Sequence, residues 1–183
     1  MKVVTISCSP RVGGNSDLII NSVLDGIRNA HSDMVVDKFK LNNLDIKGCK
    51  GCYQCKRTGE CIQKDDMQQI YSKMNEADLL IFASPIYMGY ITGIGKNFID
   101  RLFAFSRGHF DISLPAGKKF IVILTQGHDR EDAYRVVADN LMNIFNGLGM
   151  ESKGKIIAAG LTSNVADIRK EILEIAYNVG TRI

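Results

Sequence analysis

Four cysteines fall close together, at Cys49, Cys52, Cys55 and Cys61, while Cys8 stands apart. Their spacing is C-x2-C-x2-C-x5-C. Three thiolates two residues apart can wrap one side of a cubane, and a fourth a few residues on can close it, as in compact 4Fe–4S sites. No proline follows Cys61, which separates this run from the two-cluster ferredoxin pattern. Structural zinc is the rival reading, although zinc sites usually set two cysteine pairs farther apart. A switch among free thiols is a third. An odd, clustered count does not describe a disulfide framework. Asp45 to Lys64 carries five basic and two acidic side chains, a local +3 that equals the net charge of the whole chain. Such charge is expected to lower thiol pKa values and to offset an anionic cluster. It suits equally a docking patch for an acidic redox partner, or a solvated loop.

A second constellation is Ser9-Pro10-Arg11-Val12-Gly13-Gly14-Asn15-Ser16, between a strand-like run and a helix-like one. Glycines let backbone N–H groups approach a ligand, and a helix N-terminus favours an anion. Ser9, Asn15 and Ser16 offer hydrogen bonds to phosphate oxygens, and Arg11 adds charge. The competing reading is an ordinary helix cap by Asn15 or Ser16. The loop has no G-x-x-x-x-G-K-[ST], and Phe98 stands where a G-x-G-x-x-G beginning at Gly93 needs its third glycine. A loop rich in Ser and Asn without Lys fits a monophosphate such as that of FMN. Two further loops follow apolar runs. Pro85, Ile86, Tyr87 and Met88 could meet the edge and face of a flat heterocycle, or pack locally on a surface. Thr125, Gln126 and Gly127 could bond to a ring and admit it closely. His128 reads as a surface residue rather than a base, and His31 and His109 carry no partner pattern.

The elements that must hold these loops alternate. Strands are expected at Val3–Ser7, Met34–Leu41, Asp78–Ser84, Lys118–Thr125 and Ile156–Gly160. Helices are expected at Ser16–Ala30, Asp65–Ala77, Ile94–Phe105, Glu131–Leu148 and Val165–Val179. Ile20, Val23, Leu24 and Ile27 line one face of the first helix; Met67, Ile70, Tyr71 and Met74 line the second, with Asp65 or Asp66 as its cap. Ile168, Ile172, Ile175 and Ala176 share a face of the last. Leu79 to Ala83 is apolar without alternation, as a parallel strand covered on both faces would be. Five strand–helix alternations give an α/β fold, a doubly wound five-stranded parallel sheet of flavodoxin-like order 2-1-3-4-5 with helices on both faces. Its ligand crevice lies at the carboxyl ends of the strands.

Composition narrows the class. With 183 residues, 45% apolar and 23% charged, the chain suits one domain over 1–183 with a cysteine-rich loop at about 45–64. A net charge of +3 is too mild to argue for nucleic acid or an anionic membrane. No run approaches a membrane span. With the first strand starting at the second residue, no leader is expected and a cytoplasmic setting is the default.

Ser9-Pro-Arg-x-Gly-Gly-Asn-Ser16, Ser84-Pro-Ile-Tyr87 and Lys96-Asn-Phe-Ile-Asp-Arg101 together resemble the NADPH-dependent FMN reductases of flavodoxin-like fold. With the four cysteines and Asp65-Asp66-Met67, the resemblance narrows to the iron–sulfur flavoprotein branch. It runs from the N-terminus to about Gln126. It implies FMN with its phosphate near Ser9, Arg11, Asn15 and Ser16 and its ring near Pro85 to Met88, and a homodimer or homotetramer. Ser7-Cys8 stands where relatives often carry Gly-Ser, and Cys8 is expected to be a small buried residue. The expected activity is an oxidoreductase that passes electrons from NAD(P)H, or from ferredoxin, to a quinone, flavin or other small acceptor. No catalytic side chain is assigned, because the flavin carries the chemistry. The runners-up are a noncatalytic electron carrier and a zinc or thiol redox sensor on the same fold.

Overall fold

The computed structural model describes residues 1–108, 111–165 and 168–183. His109 therefore lies outside the described residues, as do positions 166 and 167 of the expected last helix. Among the described residues, strands β1 (Lys2–Ser7), β2 (Val35–Lys40), β3 (Leu79–Tyr87), β4 (Tyr90–Ile91), β5 (Ser106–Gly108), β6 (Asp111–Ile112), β7 (Lys119–Thr125) and β8 (Glu151–Ala158) are interspersed with six α-helices. The helices are α1 (Asn15–Ala30), α2 (Gln54–Thr58), α3 (Met67–Glu76), α4 (Gly93–Arg101), α5 (Arg135–Gly147) and α6 (Lys170–Gly180). The main sheet runs β2-β1-β3-β7-β8, all parallel, which is the expected flavodoxin-like order 2-1-3-4-5.

Both sheet faces are covered, which explains the unbroken apolar runs. Leu79, Ile81 and Ala83 of β3 point to the side packed by Ile19, Val23 and Ile27 of α1 and Ile172 and Ala176 of α6. Leu80 and Phe82 point to the other side, against Met67 and Ile70 of α3, Phe98 of α4 and Leu141 and Phe145 of α5. Phe82 stacks on Phe98 at 5.9 Å, and Phe120 meets Phe145 at 5.2 Å. The apolar faces read from the sequence for the first two long helices are buried as expected. No described helix is long and apolar enough to cross a membrane.

Several boundaries differ from the sequence reading. Helix α3 starts at Met67, with Asp66 at its cap position but no side-chain cap there: Asp66 Oδ2 accepts from the Asp45 N–H, while Asp65 accepts from the Met67 N–H and pairs with Arg101. The expected 94–105 helix ends at Arg101 and tightens into a 3₁₀ turn at Leu102–Phe105. Residues 131–134 likewise form a 3₁₀ turn before α5. Strand β8 begins at Glu151 rather than Ile156, since its first half is a partly exposed edge whose polar residues hide the strand pattern. Helix α6 starts only at Lys170, and Ile175 faces solvent, not the core face assigned to it. Strand β3 runs on to Tyr87 and turns back through β4 across Met88 and Gly89, both with positive φ (49° and 80°). A two-residue turn of this kind places both central residues in the left-handed region, which Gly89 adopts freely and Met88 does not.

Candidate functional site

A cleft of about 200 Å³ opens at the carboxyl ends of β1, β3, β7 and β8. It brings together Ser9, Arg11, Asn15 and Ser16 of the first loop, Pro85, Ile86 and Tyr87, and Thr125, Gln126 and Gly127. Met88 is left out. It stands at the hairpin turn, fully exposed at 103%. Gly14 of the first loop also lines it, and Leu161, Thr162 and Ser163, which were not foreseen, complete the lining. The last three follow the final strand. The strand order itself was the signal for that loop, since a crevice at strand ends must draw on every loop there.

The first loop is braced from below. Gly13 takes φ +66°, and its N–H donates to Asp17 Oδ2 at 2.8 Å. The same carboxylate accepts from Ser7 Oγ at 2.7 Å and Lys40 Nζ at 2.5 Å. The cap position of α1 is Gly14, with no side-chain cap, so neither Asn15 nor Ser16 plays the ordinary capping role. The first N–H groups of a helix have no partner inside it. Without a side-chain cap, their positive end faces the cleft and favours an anion. Ser9 Oγ accepts from the Arg11 N–H at 3.2 Å, and the exposed Arg11 side chain adds positive charge at the mouth.

The floor carries oriented polar groups. Ser16 Oγ and Thr125 Oγ1 share a buried hydrogen bond of 3.1 Å. Asn15 Nδ2 donates to the Thr162 carbonyl at 2.9 Å, and Gln126 Nε2 to that of Arg130 at 2.6 Å. These bonds hold both amides with their oxygens buried and unpartnered: Asn15 Oδ1 and Gln126 Oε1. A buried acceptor without a donor costs about 1–3 kcal/mol, so the cleft suits a ligand that donates to both. An anion at the helix end together with N–H or O–H donors along the floor is the chemistry it can receive. His128 is exposed and beside Asp129, the surface residue it was read to be.

The cysteine loop folds over α4 and the 102–105 turn. Cys49, Cys52, Cys55 and Cys61 all line one small cavity there, with Arg101 and Phe103 in its wall. Gly51 (φ 61°) and Tyr53 (φ 55°) bend the chain between the first three. Tyr53 rests edge-on against Phe103 at 5.8 Å. Cys49 and Cys52 are exposed, Cys55 and Cys61 half-buried, and Cys8 is buried as expected. Among the described residues, no group of three or more His, Cys, Asp or Glu side chains is arranged to hold a metal ion. The donor set fits a thiolate-bound group by its chemistry, four sulfurs on one cavity, although the sulfurs are not drawn into coordinating positions. The expected lowering of thiol pKa fails at Cys55. Burial pushes its thiol up, and Cys61, Cys49 and Cys52 push the same way against Lys56. Lys56 is also tied elsewhere, donating to the carbonyls of Phe103 and Ser106.

Comparison with known proteins gives the family and the fold. Residues 1–162 match the family described as NADPH-dependent FMN reductase. An iron–sulfur flavoprotein of Archaeoglobus fulgidus is 30% identical over 184 residues, covering all of this chain and 79% of its own. Among solved structures, an NAD(P)H:quinone oxidoreductase from Methanothermobacter marburgensis superposes with a TM-score of 0.76 at 18% identity, over 100% of this chain and 96% of the other. An FMN-dependent NADH-azoreductase from Bacillus anthracis, solved with FMN, gives 0.73 at 16% identity over 100% and 99%. These two show a shared fold. The breadth of the family match, together with the full-length relative, places the chain in the NADPH-dependent FMN reductase family of oxidoreductases.

Proposed function

We propose that the cleft binds FMN and that the protein, one domain over 1–183, passes electrons from NAD(P)H to a quinone or another small acceptor. The observation that carries this reading is the uncapped N-terminus of α1 beside two buried amide oxygens without donors. The N–H groups of the loop, with Ser9, Ser16 and Arg11, would hold a terminal phosphate. Asn15 Oδ1 and Gln126 Oε1 would accept from the hydroxyl chain and the ring N–H, which neither a phosphate nor an apolar ring supplies alone. Pro85, Ile86, Tyr87, Thr125 and Gly127 would bound the ring. When bound, FMN supplies electron exchange with a nicotinamide on one side and an acceptor on the other. Tyr87 and Met88, exposed at the hairpin, leave that side open to both. Two proteins of the same fold support this chemistry: one is a quinone oxidoreductase and the other an FMN-bound azoreductase.

Titration of flavin-free protein with FMN tests the site. Arg11→Ala with Asn15→Ala is expected to weaken FMN by ~2–4 kcal/mol, through loss of one charge-assisted and one neutral contact. Unchanged affinity would remove these residues from the site. Rapid mixing with NADH or NADPH, without acceptor, should bleach the flavin absorbance.

We also propose that Cys49, Cys52, Cys55 and Cys61 hold one 4Fe–4S cluster. Four thiols on one cavity and the iron–sulfur name of the full-length relative support it. Anaerobic reconstitution should give about four iron and four sulfide per chain, retained in Cys8→Ser and lost in Cys55→Ser.

A further inference from the structure

Arg101 is the largest fully buried side chain, 1% exposed, in the wall of the cavity that the four cysteines line. A charge so buried needs compensation, and most of its guanidinium has it. Nη1 donates to Asp65 Oδ2 at 2.6 Å and to the Lys47 carbonyl at 2.9 Å, and Nη2 donates to Asp65 Oδ1 at 3.0 Å. The Asp65 side chain is itself 0% exposed. The two-pronged pair fixes the plane and position of the guanidinium. One polar atom is left over. Arg101 Nε is buried and has no partner. A buried N–H donor without an acceptor is rare and costly, and calls for a group that supplies one.

The surroundings say what that group is. Arg101 and the four cysteines line one cavity whose other walls are largely apolar, apart from Lys50 and the buried Gln63. A neutral thiol is a weak acceptor, whereas a thiolate or a cluster sulfide is an anionic one. Asp65 cancels the charge of Arg101 itself, so the unspent N–H is its distinctive contribution.

We propose that Arg101 is a positioning residue for the group the four cysteines hold, its Nε–H donating to a ligand or cluster sulfur while Asp65 and the Lys47 carbonyl hold the guanidinium in place. This rests on the cluster reading given above. Hydrogen bonds to cluster sulfurs raise the reduction potential, because reduction adds negative charge that the donor stabilises. The buried fork therefore serves two ends: it ties the loop at Lys47 to α4, and it sets how readily the cluster takes an electron.

The test compares anaerobically reconstituted wild type with Arg101→Lys and with the paired change Arg101→Gln, Asp65→Asn. The first keeps a cation for Asp65 but has no Nε–H at that place. The second removes both charges and leaves no unpaired one. Both are expected to bind FMN as wild type does, to show a lower cluster midpoint potential by EPR-monitored titration, and to release iron to a chelator about tenfold faster. Variants that bind FMN normally and match wild type in potential and iron release would overturn the proposal, leaving Arg101 a packing residue. Should the paired variant lose FMN binding and cooperative melting, Arg101→Lys decides alone by the same two readings. A wild type that takes up no iron would instead reject the cluster reading, and this inference with it.

Discussion

Asp65 gathers donors from three segments onto one carboxylate. The Lys47 N–H reaches Oδ2 at 3.1 Å, the Met67 N–H reaches Oδ1 at 3.2 Å, and both terminal nitrogens of Arg101 close the fork. Burial works against its charge, yet Arg101 and the two backbone N–H groups win, and hold its pKa below the usual carboxylate range. Breaking a buried pair from one side leaves a charge uncompensated, which costs ~3–5 kcal/mol. Asp65→Asn is therefore expected to lose that much in urea unfolding at pH 7, and the paired change with Arg101→Gln to lose less than the two single changes summed. The pH dependence has a definite sign. A carboxyl whose pKa falls on folding adds stability that is complete above its unfolded value, near 4, and is lost as pH drops through the lower folded value. Wild type should thus lose stability below about pH 4 more steeply than Asp65→Asn, and equal slopes would remove Asp65 from the acid transition. The sequence offers Asp65 or Asp66 as the cap of α3; Asp65 does accept from the Met67 N–H, but it also carries the buried pair with Arg101. Nothing local distinguishes a capping aspartate from one paired 36 residues away.

Among the elements, α1 and α6 meet backbone to backbone. A Cβ on Gly26 would lie 2.1 Å from the Tyr177 carbonyl oxygen, and one on Gly180 would lie 2.1 Å from that of Val23. Helix propensity favours alanine over glycine by ~1 kcal/mol, but a clash with backbone cannot be relieved by turning a side chain. Gly26→Ala should lower stability by ~1–3 kcal/mol. Gly147→Ala, at the end of α5 with open space around its Cβ position, should change it by under ~1 kcal/mol and upward. Thermal melts of the two variants check the opposite signs. The same elements show what was legible. Buried faces of α1 and α3, and the apolar runs of β3 and β7, were plain because burial enforces period and composition together. The β3–β4 hairpin was not, since Met88 occupies a left-handed turn position where Asn or Asp would have signalled it. The first half of β8 was hidden by its Glu151-Ser-Lys-Gly-Lys155 composition, which reads as loop when an edge strand needs only one covered face.

At the scale of the whole molecule, the cleft is assembled from loops far apart in sequence: residues 9–16, 85–87, 125–127 and 161–163. Each lies at the carboxyl end of a different strand of one parallel sheet, so the fold brings them together before any ligand arrives. The two amide oxygens without donors mark the cleft as incomplete by itself. A ligand that satisfies them and the uncapped helix end ties four strand ends at once, and so should stabilise the whole chain rather than one loop. Binding to the folded state alone adds ~2.7 kcal/mol at one hundred times the dissociation constant, with a melting temperature that climbs with concentration. FMN is expected to do this. Riboflavin shares the ring and hydroxyl chain but lacks the phosphate, so at equal concentration it should raise the melting temperature far less. The difference between the two should shrink in Arg11→Ala, because that variant loses only what the phosphate uses. Equal stabilisation by FMN and riboflavin in wild type would mean that the end of α1 is not the phosphate site, and that the uncapped helix faces the cleft for some other anion.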